Sequence, residues 1–294
     1  MNAFVMLIVN PAAKNGSAGK IALGGSLLRD AGYEVKTLLT TKRGDAERFA
    51  RHAVDEGIQF IIACGGDGTF NEVMNGIAYT TTRMAIVPMG TTNVLAKELG
   101  IPEDVRGAVA RAVEGQARPV SLGRIRCSGG SGRLTRYFCL MAGIGFDGLS
   151  VYGVNPWLKR YSGEGAYILS GLESLLRARF EPLKIAFDET ECEGYSAIIG
   201  KASKYGGNFK VTPDASLLRP EFYVLVMKGK RRRDLLRYSI GIMLGRHLGF
   251  KDILYRRAFS IEIEGDAHIQ VDGDYLGRTP ASITMAADAV QLVM

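Results

Sequence analysis

Two short motifs, each a carboxylate flanked by glycine, carry the residue types best suited to chemistry. The first is Gly65-Gly66-Asp67-Gly68-Thr69, which continues into Phe70-Asn71-Glu72. Glycines let the backbone approach a phosphate without a Cβ in the way, and N–H groups at a helix start favour negative charge. A carboxylate inside such a turn would repel a bare phosphate. Asp67 therefore suits a metal ion or proton removal from a substrate hydroxyl. The second motif is Val271-Asp272-Gly273-Asp274. Its two acids read as metal ligand, orienting acid or general base, and equally as an Asp-Gly hairpin turn. The first motif, taken alone, also reads as a tight turn between strand and helix.

The flanking elements decide where these residues stand. Apolar runs predict strands over 3–9, 58–64 and 83–88, and 33–39 is a further strand candidate. Between them, Ser17 is placed as N-cap of a helix running to about 31, with Gly32 as its stop. Ala46, Phe49, Ala50, Ala53 and Val54 recur at helical spacing up to Gly57. Thr69 and Glu72 stand at the capping-box spacing that starts a helix. A further helix is expected from Pro102 to Gly115, its buried stripe Val105, Val109, Ala112 and Val113. This alternation predicts a mostly parallel sheet with helices on both faces. Such sheets bind ligands beyond the carboxyl ends of their strands. The loops holding Asn10-Pro11-Ala12-Ala13-Lys14, the Asp67 turn, and Pro88-Met89-Gly90-Thr91-Thr92-Asn93 should therefore converge. A phosphate-binding P-loop is rejected, because Lys14 and Ile21 stand where its first glycine and its hydroxyl residue belong.

After Gly123 the pattern changes. Strand-like stretches follow one another at 120–127, 135–142, 183–187, 195–201, 222–227, 255–263, 268–271 and 289–293, with a glycine turn at Gly129, Gly130 and Gly132. Helices are expected over 164–178 and 232–248. This predicts an antiparallel sandwich or barrel with a few inserted helices, and the sandwich is the expectation taken forward. The fold expected is thus an α/β nucleotide-binding domain over 1–122 and a β-sandwich domain over 123–294, with the active site in the cleft between them. The strand running into Gly143-Ile144-Gly145-Phe146-Asp147-Gly148 shapes a cleft floor or is a turn.

Composition narrows the classes. The chain has 294 residues, 47% apolar and 23% charged, with a formal charge of +7. No stretch of about 18 apolar residues predicts a membrane-spanning helix, and no secretory leader is expected at the start. Cys64, Cys127, Cys139 and Cys192 show no paired spacing and are expected as thiols of a reducing cytoplasm. His52, His247 and His268 lack metal-ligand spacing. The positive charge suits nucleic acid, anionic membrane or phosphorylated small molecules, and no nucleic-acid-binding signature is present.

Taken in order, Asn10-Pro11, Gly65-Gly66-Asp67-Gly68-Thr69 with Asn71-Glu72, Pro88-Met89-Gly90-Thr91 with Asn93, Gly143 to Asp147, and Asp272-Gly273-Asp274 resemble the diacylglycerol kinase catalytic family. The chain is similar over nearly its whole length to soluble bacterial lipid kinases, relatives of sphingosine and ceramide kinases. NAD kinase and phosphofructokinase share the Gly-Gly-Asp-Gly turn more distantly. The resemblance implies ATP- and Mg²⁺-dependent phosphorylation of a lipid hydroxyl at a membrane surface, by a cytoplasmic protein in peripheral contact with the inner face. It implies ATP contacts from Asn10, Pro11, Ala12, Lys14, Thr40, Gly65, Gly66, Asp67, Gly68, Thr69, Asn71, Glu72, Thr91 and Asn93, with Asp67 as metal ligand. The family's proposed proton acceptor falls on Asp274, where glutamate is usual. The shorter side chain leaves the base open between Asp274, Asp272 and Asp67. Relatives often carry an Asp-Gly pair near 218–220 that binds an additional magnesium. Residues 217–220 hold no acid, so that site is expected to be absent or altered, with Asp214 or Glu221 as substitute ligands.

Two other functions fit parts of the sequence: an NAD-kinase-like enzyme acting on a soluble nucleotide, and an inactive nucleotide- or lipid-binding regulator. Finally, Lys228, Lys230, Arg231, Arg232, Arg233 and Arg237 adjoin an apolar series from Leu235 to Leu248. This reads as a solvated face over a core stripe, or as a segment resting on anionic membrane.

Overall fold

The computed structural model describes residues 3–129, 132–152 and 181–294. The chain forms two compact units, Met1–Ser121 with Ala287–Met294, and Leu122–Ala286.

The first unit alternates strand and helix: β1 (Ala3–Val9), α1 (Ala18–Asp30), β2 (Tyr33–Leu39), α2 (Asp45–Asp55), β3 (Phe60–Gly65), α3 (Asp67–Ile77), β4 (Arg83–Pro88), α4 (Val94–Leu99) and α5 (Val105–Glu114). β2, β1, β3 and β4 lie side by side in that order, each pair parallel. β3 is buried along its whole length and β1 from Val5 to Val9, as expected when helices cover both faces. β1 neighbours both β2 and β3, so the strand order reverses there. The loops after β1, β3 and β4 leave the same end of the sheet.

The second unit contains β5 (Ala117–Gly129, begun in the first unit), β6 (Gly132–Phe138), β7 (Met141–Ile144), α6 (Phe146–Tyr152), β8 (Leu183–Phe187), β9 (Thr190–Gly194), β10 (Ser196–Gly200), β11 (Lys204–Tyr205), β12 (Phe209–Lys210), β13 (Phe222–Met227), α7 (Arg232–Met243), β14 (Ile253–Ala258), β15 (Ser260–Glu264), β16 (His268–Val271) and β17 (Asp274–Val293). β14, β13, β10, β7, β16 and β17 pair antiparallel in that order. Ile125, Phe138, Ile144, Ile185, Ile199, Val224, Ile261, Ile269 and Ile283 fill the sandwich core. A second apolar cluster, Met141, Ile198, Val211 and Leu225, is covered by Leu235 and Tyr238 of α7.

Several sequence expectations need correction, and each has a local cause. The last residues return to the first unit instead of staying with the second: Gln291 and Leu292 of β17 pair parallel with Arg83 and Met84 of β4. The strand expected over 135–142 breaks at Cys139 and Leu140, whose N–H groups donate to Asp272. The strand expected over 255–263 breaks at Phe259, whose N–H, like that of Ser260, donates to the Asp188 carboxylate. The helix expected over 232–248 stops at Met243. Gly245 adopts a left-handed φ of 66° there, and Arg246 N–H closes on Gly241 O at 2.7 Å. The helix expected from Pro102 starts at Val105, capped by Asp104. Thr69 and Glu72 form no capping box, because α3 starts at Asp67 with Gly66 as N-cap. The expected helix over 164–178 lies outside the described residues. Ser17 caps α1 through Lys20 N–H as expected.

Leu292 is fully buried although it stands two residues from the chain's end. Leu292→Ala should destabilise the first unit by about 3 kcal/mol, read by urea unfolding. A fragment covering 1–122 alone should fail to fold for want of the returning strand.

Candidate active site

The three glycine-bearing loops of the first unit are bonded to one another. Asn10 donates its N–H to Cys64 O at 2.9 Å, and its side-chain amide reaches the Thr69 hydroxyl at 3.4 Å. Its Oδ1 accepts from Ala12 N–H at 3.0 Å, shaping the exposed turn that carries Pro11, Ala12 and Lys14. Asn15, which sequence reasoning passed over, donates its N–H to Met89 O at 3.0 Å and its side-chain amide to Gly90 O at 2.8 Å. Met89 N–H in turn donates to Gly65 O at 2.7 Å.

Two glycines touch where the turns after β3 and β4 meet. A Cβ on Gly90 would stand 2.7 Å from the Gly66 Cα, closer than nonbonded carbons approach. The Gly66–Gly90 contact therefore excludes side chains and lets main chain line the spot. Gly65 is similarly closed, since a Cβ there would stand 2.5 Å from the Thr69 hydroxyl. Asn93 is buried in a left-handed conformation with φ 46°. Its side chain accepts Gly90 N–H at 2.9 Å and donates to Gly90 O at 3.2 Å. Thr91 is exposed on this loop.

Asp67 joins the two turns. One carboxylate oxygen accepts Leu95 N–H at 2.9 Å; the other accepts Val94 N–H at 3.0 Å and the Thr92 hydroxyl at 3.4 Å. Burial pushes its carboxyl above the ordinary aspartate range, opposed by these donors. Cys64, beneath the turn, is buried, and that burial pushes its thiol up to about 12.

Thr40 closes β2 with its N–H on Val9 O at 2.8 Å, beside the exit of β1. Its loop is held by two acids. Buried Asp45 accepts Thr41 N–H at 2.9 Å, the Thr41 hydroxyl at 2.8 Å and Lys42 N–H at 3.1 Å. Glu72 accepts Gly44 N–H at 2.9 Å and Ala46 N–H at 3.1 Å. Glu72 therefore serves the start of α2, not its own helix. Asn71 is buried, receiving the Asn75 amide at 3.1 Å.

In the second unit the two acids of Asp272-Gly273-Asp274 divide. Asp272, at φ 48°, accepts N–H bonds from Cys139 and Leu140 at 2.8 Å and from Met141 at 3.0 Å. It is an anchor for the bend between β6 and β7. Asp274 opens β17, half-exposed. Gly273 N–H donates to buried Gln270 at 2.8 Å, and Gln270 donates to Asp147 at 2.6 Å. Tyr205 also donates to Asp147 at 2.6 Å. Burial pushes the Asp147 carboxyl up, against the Tyr205 and Gln270 bonds. The Gly143 to Gly148 stretch thus contains an acid, Asp147, tied to the Asp272 turn, a link invisible in sequence because Gln270 lies 123 residues from Asp147.

Lys201 reaches the segment that holds Ser216, Leu217 and Arg219. Its ammonium is fully buried and donates to Ser216 O at 2.7 Å, Leu217 O at 3.0 Å and Arg219 O at 2.9 Å. A fixed positive charge fills the point where three carbonyls converge. Glu221 is instead ion-paired with Arg219 and Arg257. Among the described residues no group of three or more His, Cys, Asp or Glu side chains could hold a metal ion.

Residues 4–125 match the family model of the diacylglycerol kinase catalytic domain, and residues 142–294 match that of the YegS C-terminal NAD kinase beta sandwich-like domain. A diacylglycerol kinase of Bacillus subtilis (strain 168) is 32% identical over 271 residues, covering 90% of this chain and 87% of the relative. One from Staphylococcus aureus (strain JH9) is 32% identical over 261 residues, covering 87% and 80%. The chain belongs to the diacylglycerol kinase catalytic family. It is an enzyme, a lipid kinase. The fold agrees: the crystal structure of a diacylglycerol kinase from Bacillus anthracis str. Sterne superposes with a TM-score of 0.72 at 23% identity, over 99% of this chain and 96% of that one. Yeast NADH kinase complexed with NADH superposes with a TM-score of 0.54 at 10% identity, over 99% and 82%. The α/β unit and antiparallel sandwich are the architecture of these kinases.

Lys201→Met should cost roughly 3 kcal/mol or more, because three buried carbonyls lose a charged donor; thermal unfolding checks it. Asp45 offers a pH test. The Thr41 N–H, Arg48 and the Thr41 hydroxyl hold its folded carboxyl below the ordinary range. Its contribution to stability should be complete above about pH 4, the unfolded aspartate value, and fade as pH falls further. The stability gap between wild type and Asp45→Asn should close in acid.

Proposed function

We propose that the protein transfers the γ-phosphate of ATP, with Mg²⁺, to the free hydroxyl of diacylglycerol or a closely related lipid. The observation that carries this reading is the tied cluster of loops after β1, β3 and β4. Its Gly66–Gly90 contact offers backbone to a phosphate, and its α3 start has no side-chain cap. The relatives at 32% identity, named diacylglycerol kinase, favour a lipid acceptor over a soluble nucleotide.

In this reading Asn10, Pro11, Ala12, Lys14, Thr40, Thr91 and Asn93 surround the nucleotide, with Gly65 to Asn71 along its phosphates. Glu72 contributes by bracing the Thr40 loop. Mg²⁺ commonly takes one or two carboxylates and fills its remaining positions with phosphate oxygens and water. Asp67 is the carboxylate that this reading assigns to that role. When bound, the metal neutralises charge on the phosphates.

In this reading Asp274 is the proton acceptor, the position on which the family resemblance places that role, and Asp272, with three N–H bonds, is the anchor of the neighbouring bend. The lipid hydroxyl oxygen forms the new bond to the γ-phosphorus as the bridging bond to ADP breaks. The hydroxyl proton passes to Asp274. Gln270 and Asp147 fix the turn that presents it. The family relationship and the unpaired spacing of the four free cysteines support a cytoplasmic enzyme working at the inner face of the membrane.

Transfer of labelled phosphate from ATP to lipids in mixed micelles tests the proposal, with NAD as a soluble acceptor. Diacylglycerol should be labelled, and chelation of Mg²⁺ should stop the reaction. Asp274→Asn should lower kcat about a thousandfold with unaltered ATP binding, while Asp274→Glu retains activity. Asp67→Asn should weaken Mg²⁺-ATP binding. Labelling of NAD alone, or ATP binding without transfer to any lipid, would overturn the reading.

A further inference from the structure

Helix α7 has two apolar faces. Leu235, Tyr238 and Gly241 are buried on the sandwich. Leu236, Ile240, Met243 and Leu244 are 49%, 48%, 54% and 63% exposed, and Leu248 beyond the helix is 37% exposed. At about 100° per residue, this second stripe lies roughly half a turn from the buried one. An outward helix face is ordinarily polar, so a row of four large apolar side chains there needs a partner.

The surroundings identify that partner by charge. Lys228, Lys230, Arg231, Arg232, Arg233, Arg237, Arg246 and Lys251 are exposed beside the stripe. The two acids among them are engaged. Asp234 accepts Arg231 N–H at 3.1 Å. Asp252 accepts the Tyr238 hydroxyl at 2.5 Å and pairs with Arg237. The patch therefore presents apolar side chains inside a strongly positive border.

We infer that α7 and its basic flanks form the surface by which the enzyme docks on an anionic lipid bilayer, apolar stripe in the acyl boundary and cations among the headgroups. A second copy of the chain fits poorly. A symmetric contact through this face would set one basic border against another. The inference rests on the lipid-kinase reading for its biological sense, but its test does not depend on catalysis.

The test is co-sedimentation of the full chain, without nucleotide, with phosphatidylcholine vesicles and with vesicles also containing phosphatidylglycerol. The wild type should bind the anionic vesicles, less at higher salt, and leave the neutral ones. The combined change Arg231→Gln, Arg232→Gln, Arg233→Gln should weaken binding about a hundredfold. The combined change Leu236→Gln, Ile240→Gln, Leu244→Gln should weaken it at least about tenfold. All these side chains are exposed, so thermal unfolding should match wild type. Phosphate transfer to a monomeric short-chain diacylglycerol should also be unchanged.

Unaltered vesicle binding in either triple variant would overturn the inference. So would sedimentation velocity showing a wild-type dimer that the leucine-to-glutamine variant dissolves while vesicle binding persists. Vesicle binding that behaves as expected, with no transfer to any lipid, would remove the kinase reading and leave the docking surface standing.

Discussion

The bond between the Asp67 carboxylate and the first N–H groups of α4 governs the geometry of the glycine-bearing loops. A helix start leaves donors without partners, and a buried carboxylate needs donors. Each solves the other's problem across the turns after β3 and β4. The bond brings Gly66 against Gly90 at a separation only glycine permits. Asn15 and Asn10 then bind the third loop to the same frame. The result is a stretch of main chain fixed before any ligand arrives, the condition for electrostatic stabilisation without reorganisation.

The second unit uses the same device with both signs of charge. Asp272 gathers three N–H groups at the bend between β6 and β7, and Lys201 gathers three carbonyls from the segment around Leu217. The two meet through Leu140, whose N–H donates to Asp272 and whose carbonyl accepts Lys201 N–H at 2.8 Å. A buried charge is costly unless fully bonded, and here each one orders irregular backbone that lacks a ladder partner.

Much of the architecture was legible because hydrophobic period and glycine punctuation are local. Strands 3–9, 33–39, 83–88 and 222–227 match their observed bounds; 83–88 and 222–227 are mostly buried and therefore apolar over nearly their whole length. The shift from alternating elements to successive strands marked the change of unit for the same reason. The errors arose where a distant residue acted on the chain. Asp272 broke one expected strand and Asp188 another, through backbone N–H bonds that leave no trace in the pattern of the strand itself.

The sequence by itself determined the two layer types, the glycine turns and which acids stand beside glycine, because all of these follow from residue type and short spacing. Tertiary structure decided what each acid does. Asp67, Glu72 and Asp272 look alike as carboxylates near glycine, yet their partners lie 28, 28 and 133 residues away. It also decided that Lys201 is buried, that Gln270 links Asp147 to Gly273, and that the last residues belong with β4. Each of these depends on which backbone groups the fold leaves without a partner, a quantity that exists only once the chain has closed on itself.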